Sequence, residues 1–383
     1  MRVGIDARVL MDKRYSGVSG YAYNLIKNFF KVRPEYKYIL FYNFFKKRSL
    51  PDFKSNCYQN VIQRYPNKLL NYVLIKNFSW PKIDRILEKK INAPLDIFWA
   101  PHINFISLSR KCKSVITIHD LSFLRFPEFF SKRKNFWHRS LNIQKMIKNF
   151  DIVVAISENT KRDIIELLNI SPTKIKVIYS GLDDKYFFAN NQQEKNKIKN
   201  KYKLPDKFIL FLGNLEPRKN IISLIKACEY LWKNKQFNFS LVIAGAPAWK
   251  YKNIFKIYKK SFYQDKIKFL GYVSERDKPF LYNLANLFVF PSFYEGFGFP
   301  PLEAMACGTP VVASAYASLP EILNKAAILV DPHNIKDLAQ AIFILGTNQC
   351  LRQEFVKRGL KQAKKYSWEK TAKEYLELWE NLR

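Results

Sequence analysis

A chain of 383 residues, 48% of them apolar and 16% aromatic, is long enough for two domains of ordinary size and too apolar to stay unfolded. Its net charge of +33, about +20 of it carried by residues 1–180, calls for an anionic partner: nucleic acid, lipid head groups or a phosphorylated substrate. Five single cysteines (Cys57, Cys112, Cys228, Cys307, Cys350), with no C-x-x-C pair and no histidine at metal-ligand spacing, exclude a disulfide framework and read as reduced thiols of a cytoplasmic protein.

The start, "MRVGIDARVL", runs straight into strand-like sequence, and no apolar run reaches about 18 residues, so neither a signal peptide nor a membrane span is expected. Short β-branched and aromatic runs then recur, each ended by Gly, Pro, Asp or Ser and followed by a longer amphipathic segment. That rhythm predicts parallel sheets with crossover helices. The first half offers strands at 2–6, 36–42, 95–100, 114–120, 151–157 and 174–179.

After the first of these, "YSGVSGYAYNLIKNF" (15–29) sets Gly17 and Gly20 before a helix, a loop able to approach a phosphate although it is neither G-x-G-x-x-G nor a Walker A loop. "SVITIHD" places His119 and Asp120 at a strand's carboxyl end, where a histidine can bond a substrate hydroxyl, relay a proton, or serve as a satisfied structural residue. Residues 129–150, "FFSKRKNFWHRSLNIQKMIKNF", interleave Lys132, Arg133, Lys134, Arg139, Lys145 and Lys148 with aromatic residues. That pattern suits an anionic membrane surface as well as an ordinary solvated helix. Residues 181–206 are the most polar and least periodic of the chain and read as a linker.

The second half repeats the rhythm, with strands at 207–213, 239–245, 266–271, 286–292, 310–314 and 327–331. In "FLGNLEPRKNIISLIKA" (211–227), Arg218 and Lys219 stand at a helix entrance, where two cations oppose the helix dipole unless an anion lies there too. A diphosphate is the natural guest. In "FPSFYEGFGFPPLEAMACGTPVVAS" (290–314) a strand enters a glycine- and proline-rich turn and then a helix, with Glu295 in the turn and Glu303 expected in the helix's first turn. Carboxylates suit sugar hydroxyls, but the dipole alone also favours Glu303. From Tyr366 onward the chain reads as a terminal helix. The expected domains are 1–180 and 207–365, with the helix at 366–383.

In order and spacing, "GVSGYAYNL", "TIHDLSFLRFPE", "AISENTKRDI", "GNLEPRKNI", the E-x7-E block, "SLPEIL", "AAILVDP" and "YSWEKTAKEY" together resemble the retaining group 4 glycosyltransferases of GT-B architecture, over essentially the whole chain. The resemblance implies an α/β fold: two Rossmann-like, doubly wound domains facing across a cleft, acceptor-binding then donor-binding, the terminal helix returning toward the first. It implies Arg218 and Lys219 on the donor diphosphate, Glu295 toward the transferred sugar and Glu303 on the ribose. Gly296, Phe297 and Gly298 would lie against sugar and phosphate, Leu302 beside the nucleotide, His119 near the reacting centre and Gly17 near the phosphates. Members often carry Arg where this chain has Gly20.

The implied reaction is transfer of a hexose, mannose from GDP-mannose above others, to a glycan or lipid-linked acceptor in cell-surface polysaccharide synthesis. No metal or other cofactor is expected, since no D-x-D motif occurs, and the enzyme would be cytoplasmic or peripheral on the inner membrane face. A UDP- or dTDP-sugar transferase, or a nucleotide-sugar 2-epimerase, fits the same fold. A non-catalytic nucleic-acid binder fits the charge but lacks any accompanying motif.

Overall fold

The computed structural model describes residues 1–11, 17–45, 49–66, 81–109, 111–187 and 189–383. Contacts divide them into two units: Met1–Leu124 with Lys132–Gly181 and Trp368–Arg383, and Arg125–Ser131 with Leu182–Ser367.

The first unit holds a seven-stranded parallel sheet of β1 (Arg2–Asp6), β2 (Lys37–Asn43), β3 (Tyr58–Gln63), β4 (Ile97–Ala100), β5 (Lys113–Ile118), β6 (Ile152–Ala155) and β7 (Ile175–Val177), in the order β3-β2-β1-β4-β5-β6-β7. Its longer helices among the described residues are α1 (Gly17–Val32), α2 (Ile83–Ile91), α3 (Lys132–Ser140), α4 (Ile143–Lys148) and α5 (Glu158–Leu168). Central strands such as β4, "IFWA", are buried along their whole length, as crossover helices on both faces require. The sequence did not predict β3. It is an edge strand, "YQNVIQ", in which only Val61 is buried, so it lacks the apolar run that marks its neighbours.

The basic aromatic stretch 129–150 is not one helix. Asn142, at φ 42°, separates α3 from α4. The first of these buries no residue, the second buries Ile143, Met146 and Ile147, and Phe129 and Phe130 belong to the other unit. There Trp249 donates its indole N–H to the Phe129 carbonyl at 2.6 Å.

The second unit holds a six-stranded parallel sheet of β8 (Phe208–Leu212), β9 (Ser240–Ala244), β10 (Ile267–Gly271), β11 (Leu287–Phe290), β12 (Val311–Ser314) and β13 (Ile328–Val330), in the order β10-β9-β8-β11-β12-β13. Its helices are α6 (Gln192–Lys201), α7 (Ile221–Asn234), α8 (Lys252–Lys260), α9 (Lys278–Leu284), α10 (Phe299–Ala306), α11 (Leu319–Leu323), α12 (Ile335–Thr347) and α13 (Gln349–Ala363). The stretch expected as a linker lies in this unit from Leu182 onward and carries α6, capped by the Asn191 side chain on the Glu194 N–H. Its low apolar content follows from position: α6 buries Ile198 alone, while Lys201 and Tyr202 reach the Asp277 carboxylate at 2.5 and 2.7 Å.

The last helix, α14 (Trp368–Leu382), begins two residues later than the sequence suggests and lies in the first unit against α1. Trp379 packs on Phe29 with ring centroids 4.6 Å apart, and the Tyr375 and Tyr21 hydroxyls meet at 2.8 Å.

In the second unit the strand order reverses direction between β8 and β11, which are neighbours although two strands, β9 and β10, separate them in sequence. The crevice outside the carboxyl ends of two such strands is where an open α/β sheet leaves room for a ligand. The segments that follow β8 and β11 are those containing Arg218 and Glu295.

Candidate active site

From the end of β8 the chain turns through Gly213–Glu216 into a single 3-10 turn, Pro217–Lys219, and then α7. Asn220 makes this turn possible. It takes up φ 54°, a region asparagine tolerates, and its amide donates to the carbonyls of Pro291 (3.1 Å) and Pro332 (2.7 Å), tying the loops after β8, β11 and β13 together. The Phe293 N–H reaches the Arg218 carbonyl at 2.9 Å, and the Ser318 hydroxyl reaches the Glu295 carbonyl at 2.9 Å.

Within this frame the Glu295 carboxylate lies between both expected cations. Lys219 Nζ is 2.6 Å from its Oε1 and Arg218 Nη1 is 3.0 Å from its Oε2. Arg218 also donates Nε and Nη2 to one oxygen of Glu216 (3.1 and 2.8 Å) and Nη1 to the Tyr294 carbonyl (2.6 Å). Glu216, Lys219 and Glu295 are each under 9% exposed. Burial alone would raise the Glu295 pKa, but the two cations outweigh it and hold the carboxyl below its ordinary value. Burial pushes the Lys219 ammonium down, and the carboxylate at 2.6 Å opposes that. In formal charge, two cations and two carboxylates balance before any diphosphate arrives. Cations and carboxylates are thus one device here, rather than the separate sets that the sequence suggested.

Gly298 caps α10 at φ +99°, and a Cβ there would stand 2.5 Å from Leu319 Cδ2, so only glycine fits. The side chains of Phe297 and Leu302 are buried in the core, Phe297 against the rings of Phe299 and Tyr366 (5.0 and 5.6 Å). What these two positions can offer a ligand is backbone. Glu303 is the fifth residue of α10, one beyond the first turn, so the dipole does not explain it. Its Oε2 accepts from the Tyr282 hydroxyl at 2.8 Å, and burial raises its pKa despite Lys278 nearby.

In the first unit, His119 follows β5. Its Nε2 bonds the Pro101 carbonyl at 2.8 Å, which requires the proton on Nε2 and leaves Nδ1 as an acceptor. Burial lowers its pKa to about 4, so the ring is neutral at pH 7, and it rests on the edge of Tyr21 with centroids 4.7 Å apart. Gly17 is the exposed first residue of α1 and Gly20 lies inside that helix, so the two glycines do not precede it. Tyr15 and Ser16 of that motif lie outside the described residues. Among the described residues, no group of three or more His, Cys, Asp or Glu side chains converges as a metal site would require.

Two family models match: "Glycosyltransferase Family 4" over residues 15–186 and "Glycosyl transferases group 1" over residues 192–362. The O-antigen chain mannosyltransferase B of Escherichia coli is 33% identical over 268 residues, 70% of each chain. The chain belongs to the group 4 glycosyltransferases of GT-B fold. The serotype-specific mannosyltransferase WbdA of E. coli is 33% identical over 263 residues, 68% of this chain and 32% of the relative, so this glycosyltransferase spans about a third of WbdA. Among solved structures, sucrose-phosphate synthase from Thermosynechococcus elongatus superposes with a TM-score of 0.77 at 18% identity, over 100% of this chain and 98% of the other. Anabaena Alr3699/HepE in complex with UDP and glucose does so at 0.71 and 17%, over 98% of each.

Three residues around the glycosyltransferase's carboxylates escaped the sequence reading. Glu216 stands two positions before Arg218, and "EPR" at a strand-to-helix turn was a signal that a buried counter-ion waits there. Tyr282 sits in α9 and Tyr186 in a 3-10 turn (Asp184–Tyr186) of the expected linker, with nothing in their local sequence to mark them.

Proposed function

We propose that this glycosyltransferase transfers a hexose, mannose from GDP-mannose, with retention of anomeric configuration and without a metal, to a glycan or lipid-linked acceptor in cell-surface polysaccharide synthesis. The observation that carries the reading is the Glu295 carboxylate held between Lys219 and Arg218 at the carboxyl ends of β8 and β11. Each carboxylate oxygen spends one lone pair on a cation and keeps another to accept from a sugar hydroxyl. The N–H groups of Arg218 and Lys219, fixed before the donor arrives, meet the charge that grows on the departing diphosphate and need no reorganisation to do so. Attack by the acceptor hydroxyl on the face the nucleotide leaves then demands orientation more than acid–base power. His119, neutral and with Nδ1 able to accept, is suited to bond a hydroxyl. Similarity to two mannosyltransferases, one of them named for the O-antigen chain, supports the choice of sugar and pathway class.

The decisive experiment is calorimetry of the full chain with GDP-mannose and with UDP- and dTDP-sugars, followed by product analysis with and without acceptor. Binding of GDP-mannose and acceptor-dependent release of GDP are expected. Binding of none of the donors defeats the reading, and an acceptor-independent change of the sugar would make the protein an epimerase.

A peripheral membrane site at α3 is supported by its sequence "KRKNFWHRS", with no residue buried, Phe136 72% and Trp137 38% exposed. Vesicles containing anionic lipid should bind the protein and release it when Lys132, Arg133 and Lys134 are neutralised. Unchanged binding in that triple variant would sink the assignment.

A further inference from the structure

Glu303 is served by an arrangement that packing alone does not call for. Tyr282 is fully buried in α9 and gives its hydroxyl to Oε2 of Glu303 at 2.8 Å, and the buried Tyr186 lies beside Tyr282. The two tyrosine rings meet edge to face at 6.1 Å, and the Tyr282 ring meets Phe288 in the same way at 5.3 Å. Their backbones are pinned as well: Thr309 Oγ1 donates to the Tyr282 carbonyl at 2.6 Å and Cys307 Sγ to the Tyr186 carbonyl at 3.2 Å. Two phenylalanines would fill this space and spare the cost of burying hydroxyls. The Tyr282 hydroxyl therefore serves the carboxylate. Burial drives both phenols well above their ordinary pKa, so toward a carboxylate they act only as donors. A glutamate with three rotatable bonds, partly open to solvent, loses its freedom to a rigid donor, while the remaining lone pairs of its two oxygens can still accept.

We propose that Tyr282, with Tyr186 beside it, is a positioning residue that fixes the Glu303 carboxylate for the vicinal diol of the donor's ribose, and so sets the enzyme's preference for ribonucleotide over deoxyribonucleotide donors. This rests on the reading of Glu303 as the ribose ligand. The stretch 181–206, which the sequence offers as a mere connector, thereby supplies the ring that packs on the positioning residue.

The test measures affinities of GDP, UDP and their 2′-deoxy forms for the full-length wild type, Tyr282→Phe, Tyr186→Phe and Glu303→Ala, with circular dichroism to verify folding. The wild type should favour the ribo form of the nucleotide it binds better. Glu303→Ala should abolish that preference, and Tyr282→Phe should reduce it about five- to tenfold by weakening ribo binding alone, as expected for the net loss of one ordinary hydrogen bond. Tyr186→Phe should act in the same direction and more weakly. A purely structural role would weaken ribo and deoxy binding equally and would overturn the proposal. If Glu303→Ala abolishes the preference and both Tyr→Phe variants keep it in full, the tyrosines do not position the carboxylate and the ribose reading survives. If Glu303→Ala keeps the preference, or the wild type shows none, the ribose reading falls and the proposal with it.

Discussion

Glu295 lies between an arginine and a lysine, whereas Glu303, eight positions on, faces tyrosine hydroxyls and a lysine that is itself paired with Glu275. Glu295 is buried and Glu303 partly so, and the first has its pKa lowered and the second raised. Burial pushes both the same way, so the partners decide: full charges at 2.6 and 3.0 Å overcome it for Glu295, and neutral donors do not for Glu303. Even spacing in a motif thus says nothing about shared chemistry. Glu295 is built as a permanent anion that organises cations, and Glu303 as a fixed acceptor.

The largest way to break this contrast is Glu295→Gln, which keeps the shape and removes the charge between two cations. Turnover should fall by about two orders of magnitude, as expected where prearranged electrostatics carries the reaction, with the circular dichroism spectrum retained. Wild-type turnover in the variant would remove Glu295 from the site. Arg218→Lys is gentler. A lysine keeps the charge but cannot serve Glu216, Glu295 and the Tyr294 carbonyl together as the planar fork does. Donor KM should rise about tenfold while kcat falls less, consistent with hydrogen bonds to charged groups contributing roughly 1.5–3 kcal/mol; a variant with unaltered KM would show that the fork is dispensable.

Stability tests the frame that holds the two carboxylates apart. Gly298→Ala forces a Cβ into Leu319 at φ +99° and should destabilise the protein by about 1–3 kcal/mol in denaturant titration. An unchanged midpoint would mean that the turn relaxes and that its conformation does not set the Glu295–Glu303 geometry.

Much of this was legible before the fold was known, because the two parallel sheets write themselves as apolar runs and because ligand-bearing loops follow strand ends. Arg218, Lys219 and Glu295 were readable on those grounds, and adjacency of β8 and β11 is what brings them together. What stayed hidden was pairwise and long-range. Val61 is the only inward residue of β3, so that strand had no run to read. Ile198 is the only buried residue of α6, which made a helix look like a linker. Tyr282 lies 21 positions and Tyr186 more than 100 from Glu303, and a tyrosine in an amphipathic helix or a polar turn looks like any other until the partner is placed. Counter-ions were missed in the same way: the sequence offers cations and carboxylates, and only the fold pairs them.

The smallest effect sharpens the contrast most, because it asks for opposite signs. The folded Glu303 pKa lies above its unfolded value, so the folded protein binds the proton more tightly and Glu303 subtracts from stability above the ordinary carboxylate range. Glu303→Gln should therefore raise Tm by about 1–3 °C at pH 7, a shift the size of a small single-site effect in a protein this large. The advantage should shrink as the pH falls through the raised pKa and the wild-type group takes up its proton. Glu295 has a folded pKa below its unfolded value, so its contribution is present above the ordinary carboxylate range and is lost as pH falls through the folded pKa. Glu295→Gln should accordingly lower Tm at pH 7, and the deficit should narrow only in more acid solution. Thermal melts of both variants from pH 7 down to pH 4 decide the matter. Curves that run in the same direction would mean that the two carboxylates experience one environment and that the cations at Arg218 and Lys219 do not set Glu295 apart.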